Sequence, residues 1–240
     1  MTGYPELDRT QALTFMTKTA NAPSCAGVIL AGGLNSRFSG CNKAFIDIGE
    51  RRIIDNIYGV FKPVFDEIIL VTNQPMDYLG WDVTIVTDVY PVRSSLTGIY
   101  SGLFYAKNPF IFVSACDTPF LKKEMVETVV GAIEPGDAVV IPQTSEGTEQ
   151  LCAAYSKTCL SLMERQIREE IFQIKHMFRK VREKKIPEPI LREIDPELVS
   201  FFNINTREDY AKAKDWLAGH HPSGGHGAAI LYPERYAKEK

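Results

Sequence analysis

The chain has 240 residues, 45% of them hydrophobic and 24% charged, with a formal net charge of -3. These values fit a globular chain with one α/β core and exclude a chain too polar to fold or one with a global basic field for nucleic acid. No apolar run approaches the ~20 residues of a membrane span, so neither a nucleic-acid nor a membrane partner is expected.

Residues 1–24 hold Gly3, Pro5 and Pro23 and show little periodicity. They read as a flexible extension with a short helix around 9–18, lacking the cationic start and apolar core of a signal peptide. The ordered domain is expected over 25–218. AGVILA (26–31) reads as a buried strand and AFIDI (44–48) as a short extended piece. RIIDNIYGVFKPV (52–64) reads as a helix ended near Pro63, and EIILVT (67–72) and VTIVT (83–87) as strands. LTGIYSGLFYA (96–106) reads as a helix, FIFVSA (110–115) as a buried strand, and 122–133 as a helix stopped by Pro135-Gly136. AVVIP (138–142) and LCAAY (151–155) follow as strands. An apolar stripe through Leu160, Met163, Ile167, Ile171, Ile174, Phe178 and Val181 predicts one long helix over 160–182. Its basic end, from Lys175 to Lys185, reads as a solvated face, with an anion-binding patch as the alternative. Pro187 and Pro189 then break the chain. VSFFNIN (199–205) reads as a last strand and 206–217 as a last helix, with Thr206 as N-cap and Asp209 at its third position. Residues 219–240 read as a flexible tail whose three histidines make no metal site. The five cysteines are widely spaced, with no C-x-x-C pair, and predict free thiols in a reducing cytoplasm.

Alternating strands and helices predict an α/β fold with a mostly parallel sheet, whose ligands bind beyond the carboxyl ends of strands. Residues 28–44, VILAGGLNSRFSGCNKA, place Gly32 and Gly33 at such an end, with Arg37 and Lys43 downstream. A glycine pair permits a sharp turn and close approach to a ligand, and consecutive N–H groups form an anion nest. Arginine forks onto phosphate oxygens and lysine adds a compact charge. The loop matches neither G-x-G-x-x-G nor G-x-x-x-x-G-K-[ST], which disfavours a dinucleotide dehydrogenase and a P-loop NTPase.

SACDTPFL (114–121) places Asp117 at another strand end. A lone carboxylate there suits Mg²⁺ held jointly by substrate phosphates and water; the alternative is an N-cap for helix 122–133. Asp88 and Asn73 also stand at strand ends, where a carboxylate and an amide can meet a base, a sugar or a metal. Gly98 and Gly102 lie in the helix after Asp88, where a nucleotide could approach. Asn203 and Asn205 share a face by period two and would suit a hydrogen-bond-rich ligand.

These segments, with EQLCAAY (149–155) and FFNINTRED (201–209), occur in an order that resembles the molybdenum cofactor guanylyltransferase (MobA-like) family of nucleotidyltransferases over about residues 26–217. The resemblance implies a three-layer α/β/α fold with a Rossmann-like sheet of the nucleotide-diphospho-sugar transferase type. It implies transfer of GMP from GTP to molybdopterin, with Mg²⁺ as cofactor. By position, Leu30, Ala31, Gly32 and Gly33 line GTP, Lys43 contacts phosphate, and Asn73 and Asp88 meet the nucleoside, with Gly98 nearby. Asp117 binds Mg²⁺, and Asn203 and Asn205 lie on the pterin side. Lys43, Arg37 and Asp117 become the catalytic candidates. GTP and molybdopterin are the expected substrates, with transient contacts to molybdoenzymes or other cofactor-biosynthesis proteins. The chain departs from the family at Ser39-Gly40, where glycine usually comes one residue earlier. It departs again at Ser94-Ser95-Leu96, where the family has Gly-Pro-Leu near the base. A CTP-using or sugar-phosphate enzyme, or a nucleotide-binding protein that delivers cofactor, would carry the same loop.

Overall fold

The computed structural model describes residues 23–32 and 42–219. The expected helix around 9–18, Gly33, Arg37, the Ser39-Gly40 departure and the histidine tail lie outside the described residues. Ten strands are described: β1 (Cys25–Leu30), β2 (Asp47–Ile48), β3 (Arg51–Arg52), β4 (Ile68–Val71), β5 (Thr84–Val86), β6 (Phe110–Ala115), β7 (Val139–Thr144), β8 (Gly147–Thr148), β9 (Cys152–Ser156) and β10 (Glu183–Pro187). The helices are α1 (Ile53–Phe61), α2 (Ser95–Tyr105), α3 (Lys123–Gly131), α4 (Leu160–Arg168), α5 (Lys175–Phe178), α6 (Glu188–Ile194) and α7 (Arg207–Leu217). None of them is long and apolar enough to cross a membrane.

The main sheet runs β10-β7-β9-β6-β1-β4-β5, with β8 paired to β7. Pairs β6–β1, β1–β4, β4–β5 and β10–β7 are parallel, and β9 runs antiparallel to β6 and β7. Successive side chains go to opposite faces, which produces two cores. Ile29, Leu70 and Phe112 pack under Ile57 and Phe61 of α1 and Val126 of α3. Val28, Ile69 and Val113 pack under Ile99 and Leu103 of α2 and Met163 of α4. The result is the three-layer α/β/α arrangement.

Strand register decides which residues meet at the carboxyl edge of the sheet. Leu30 pairs with both Val71 and Ala115, and Val71 pairs with Val86. Gly32, Asn73, Asp88 and Asp117 therefore each stand two residues beyond strand ends that are level. The strand order also reverses at β1: the chain passes from β1 to β4 and β5 on one side, then to β6 on the other. A crevice opens at that point.

Five expectations need correction. Residues 44–48 are not one extended piece: Lys43–Phe45 is a 3₁₀ turn, capped where the Asn42 side chain accepts from the Ala44 N–H, and only Asp47–Ile48 is strand. The helix expected over 160–182 stops at Arg168. Buried Gln166 donates to the carbonyls of Ile171 and Gln173, both at 3.2 Å, and Glu170 adopts φ 57°, so the chain turns before the single turn of α5. Met163, Ile167, Ile174 and Met177 still reach one core, which is why the stripe mimicked a continuous helix. Part of the basic segment belongs to strand β10, where Lys184 pairs with Glu134 at 2.6 Å, and Arg182 just before it pairs with buried Asp137 at 3.1 Å. Pro187 and Pro189 do not merely interrupt: Pro187 caps α6 and Pro189 sits in its first turn, where no N–H is needed.

The fifth correction concerns 199–205. Val199–Phe201 is a 3₁₀ turn entered through Leu198 at φ 55°, and no strand follows among the described residues. Fully buried Asp195 holds this turn, accepting from the Ser200 N–H at 2.8 Å and pairing with Lys122 at 2.8 Å. Helix α7 begins as expected, with Thr206 and Asp209 forming a reciprocal capping box.

Gly27 lets Phe61 and Phe65 close over β1. A Cβ there would lie 2.5 Å from Phe65 Cδ2 and 2.6 Å from Phe61 Cδ2. Gly27→Ala should therefore cost about 1–3 kcal/mol through overpacking, and thermal unfolding should move down by several degrees. An unchanged Tm would mean that the two rings yield without cost.

Candidate functional site

The carboxyl edge of β1, β4, β5 and β6 encloses a pocket of about 300 Å³. Leu30 and Gly32 form its floor beside Val71 and Ala115. Lys43 and Asp117 stand at one side, and Asp88, Arg93 and the Ser94–Ser95 start of α2 at another.

Lys43 enters from the 3₁₀ turn after Asn42. Its Nζ donates to Asn205 Oδ1 at 2.8 Å and lies 3.4 Å from Asp117 Oδ2. Both ionic side chains are largely but not wholly covered, 13% and 22% exposed, so the pair remains open to a third party. Burial raises the Asp117 carboxyl above the ordinary aspartate range, and the Lys43 ammonium pulls it back down. Asp117 is not the N-cap of α3. Lys122 occupies that position, and the Asp117 carbonyl accepts from the Ile204 N–H at 2.9 Å. That bond ties the segment bearing Asn205 to the end of β6.

A second polar pair occupies the neighbouring strand ends. Asn73 Nδ2 donates to Asp88 Oδ2 at 2.8 Å. Burial raises the Asp88 carboxyl, while the Asn73 amide and the Arg93 guanidinium lower it. Gly32 lies directly beside this pair: a Cβ there would be 3.7 Å from Asn73 Nδ2 and 3.8 Å from Asp88 Oδ2.

The sequence-predicted residues thus separate into three groups. Leu30, Gly32, Lys43, Asp88, Gly98 and Asp117 line the pocket, with Ala31 buried in its floor strand and Asn73 and Asn205 bonded to lining residues. Asn203 is exposed and is not part of the lining; buried Ile204 separates it from Asn205. Gly33 and Arg37 belong to the undescribed loop. The helix glycines have a packing reason as well: Cβ atoms at Gly98 and Gly102 would meet Leu30 at 3.1 Å and Val28 at 2.7 Å, so both bring α2 close to β1.

Sequence reasoning did not single out Arg93, Cys116 or Leu151 as pocket residues. Arg93 directly precedes Ser94, the side-chain cap of α2, so a cation just ahead of a capping serine was the available signal. Cys116 lies between the end of β6 and Asp117. Leu151 reaches this edge because β9 runs antiparallel, a fact the local pattern does not encode.

Chemically, the pocket combines an ammonium–carboxylate pair, an amide-held carboxylate, a guanidinium and a helix start. This set suits a ligand with several phosphates at one end and hydrogen-bond donors at the other. Among the described residues no three His, Cys, Asp or Glu side chains converge to hold a metal ion by themselves. A single carboxylate such as Asp117 has the chemistry to share a magnesium ion with substrate phosphates and water.

Comparison with known proteins places the chain in a family. Residues 27–185 match the family described as the MobA-like NTP transferase domain. The molybdenum cofactor guanylyltransferase of Desulfosudis oleivorans is 46% identical over 188 residues, which are 78% of this chain and 93% of that protein. A probable molybdenum cofactor guanylyltransferase of Clostridium perfringens is 35% identical over 77% of this chain and 93% of its own length. The crystal structure of molybdopterin-guanine dinucleotide biosynthesis protein A from Archaeoglobus fulgidus superposes with a TM-score of 0.72 at 25% identity. It covers 81% of this chain and 99% of that one. With its three-layer fold, its level strand ends and these relatives, the chain belongs to the MobA-like NTP transferase family.

Proposed function

We propose that this protein transfers GMP from GTP to molybdopterin, forming the guanine dinucleotide cofactor and pyrophosphate. The observation that carries the reading is the pairing of Lys43 with Asp117 and Asn205 across the pocket from Asn73–Asp88. One side suits a triphosphate and the other a base. Guanine presents adjacent N1–H and N2–H donors, which an ionised Asp88 held by Asn73 can accept together. Residues 25–218 are the catalytic unit in this reading, and the four described cysteines, all free thiols, suit a cytoplasmic setting.

The terminal phosphate oxygen of molybdopterin attacks the α-phosphorus of GTP. The new O–P bond forms as the bond to the oxygen bridging the β-phosphate breaks, and pyrophosphate leaves with that electron pair. No protein nucleophile is required, so the side chains act by alignment and charge compensation. Lys43 neutralises charge as it spreads onto the phosphate oxygens, and Asn205 keeps the ammonium aimed. Gly32 and the rest of the glycine loop, including Gly33 and Arg37, hold the phosphates. Asp117 is the residue that would hold Mg²⁺, which when bound offsets charge on the triphosphate. Asn203 and Asn205 mark the acceptor side, from which a molybdoenzyme could collect the product.

A pyrophosphate-release assay over GTP, CTP, ATP and UTP, with and without molybdopterin, tests the reading. Release should need molybdopterin and favour GTP; preference for CTP, or tight GTP binding without release, would sink it. Lys43→Ala should lower kcat by roughly 10²–10³, the scale of removing one preorganised charge-stabilising donor. Asp117→Ala should abolish magnesium-dependent turnover, and an unchanged metal requirement would reject Asp117 as its ligand.

The pH profile has a sign that follows from burial. Asp117 acts ionised, and its raised pKa means protonation sets in at higher pH than for a free aspartate. The acid limb of kcat/KM should therefore lie above the usual aspartate range. Because Lys43 lowers that pKa, the residual activity of Lys43→Ala should show a limb displaced to still higher pH. A displacement downward would contradict the assignment.

A further inference from the structure

The turn that carries Lys43 is braced from a segment that contributes nothing to the pocket lining. Asn42 uses both ends of its amide. Its Oδ1 accepts from the Ala44 N–H at 3.1 Å, closing the 3₁₀ turn, and its Nδ2 donates to the Tyr78 hydroxyl at 2.9 Å. Tyr78 is fully buried in a second short 3₁₀ turn, Pro75–Tyr78, in the crossover from β4 to β5. Its ring centroid lies 5.1 Å from that of Phe45 and 5.9 Å from that of Trp81. The brace is itself fixed from outside. Arg52 stacks over Trp81 at 4.9 Å, and Asp55 accepts from both Arg52 Nε at 2.9 Å and Trp81 Nε1 at 3.1 Å.

Residues on both sides of Lys43 thus rest on Tyr78, Asn42 through a hydrogen bond and Phe45 through ring contact. Ring contacts hold a turn close but resist sliding weakly, whereas a hydrogen bond has a preferred distance and angle. The Asn42–Tyr78 bond therefore sets the rotation of the turn about its aromatic seat. Lys43 Nζ reaches Asn205 at 2.8 Å but Asp117 only at 3.4 Å, so a small rotation of the turn would dissolve the cluster. Burial holds the Tyr78 phenol far above its ordinary pKa, so it stays neutral and keeps one role at all working pH values.

We infer that Tyr78 is a positioning residue for the transfer reaction, fixing through Asn42 the turn that aims the Lys43 ammonium into the pocket. The inference rests on the proposed role of Lys43 and adds a determinant that touches neither substrate nor metal.

Tyr78→Phe keeps the ring and its packing and removes one hydroxyl. Misplacement of a charge by about 1 Å can cost up to 10²-fold, so kcat for pyrophosphate release with GTP and molybdopterin should fall about tenfold or more. KM for GTP should change less than threefold and Tm little. Asn42→Ala should show a similar loss. In that background Tyr78→Phe should add nothing, because both changes break one bond. Asn42→Asp, whose carboxylate can accept from both the Tyr78 hydroxyl and the Ala44 N–H, should recover most of the Asn42→Ala loss. Wild-type kcat in Tyr78→Phe, losses that multiply in the double variant, or no recovery with Asp would each overturn the inference. Lys43→Ala measured alongside separates the two levels. If it retains turnover, the reading of Lys43 fails and the positioning role fails with it. If it is impaired while Tyr78→Phe is normal, only the positioning role is lost.

Discussion

The site depends on one alignment: the carboxyl ends of β1, β4, β5 and β6 are level. Hydrogen bonding continues one residue past the strands and locks that alignment. Ala31 N donates to the Val71 carbonyl at 2.8 Å, Thr72 N to Val86 at 2.9 Å, and Cys116 N to Leu30 at 3.0 Å. The next residue of each segment, from four separate parts of the sequence, is Gly32, Asn73, Asp88 or Asp117. A slip of one residue in any pair would turn a polar group of the site towards an apolar layer. The two cores on either side of the sheet therefore protect the chemistry as well as the fold.

The two carboxylates at this edge begin from similar physics and are held differently. Both are pushed towards neutrality by burial. Asp88 is held by a neutral amide, Asn73, with Arg93 contributing charge from the pocket rim. Asp117 faces a full ammonium. The first arrangement keeps an acceptor oriented without neutralising it, which suits the base recognition proposed for it. The second balances the carboxylate charge internally, and in the proposed reaction phosphates and a metal ion would take over from that internal partner.

Much of this was legible in the residues, because it was carried by local signals. FIFVSA carries no charge and formed β6 over its whole length, and Thr206 with Asp209 announced the start of α7. Glycine, asparagine and aspartate at strand ends were visible as such, and strand register brought them together. What escaped depends on side-chain partners and sheet position, which periodicity does not encode. Strand β10 (EKKIP) buries only Ile186 and carries the charge expected of an edge, so it showed no alternation. The break after Arg168 comes from Gln166 folding back on the next turn, while the apolar stripe continues as though nothing had happened. The expected strand at 199–205 was lost to Asp195, a buried carboxylate whose capture of Ser200 no period could reveal. Tyr78 carried no local signal of its role, which is set by Asn42, 36 positions earlier.

The reversed strand β9 gives the fold a further property. Strands that run with β1 send their trailing loops to the working edge, whereas β9 sends its leading one. Ser114 pairs with Cys152, so the connection between β7 and β9 arrives at the working edge, where Leu151 lines the pocket on the side opposite Asp88. A change in the length of this connection would leave every rung of the parallel ladder β6-β1-β4-β5 in place. The shape of the pocket on this side and the placement of its charged groups are therefore set by separate parts of the chain. In the proposed reading, the room for the acceptor could change without disturbing the groups that hold the nucleotide.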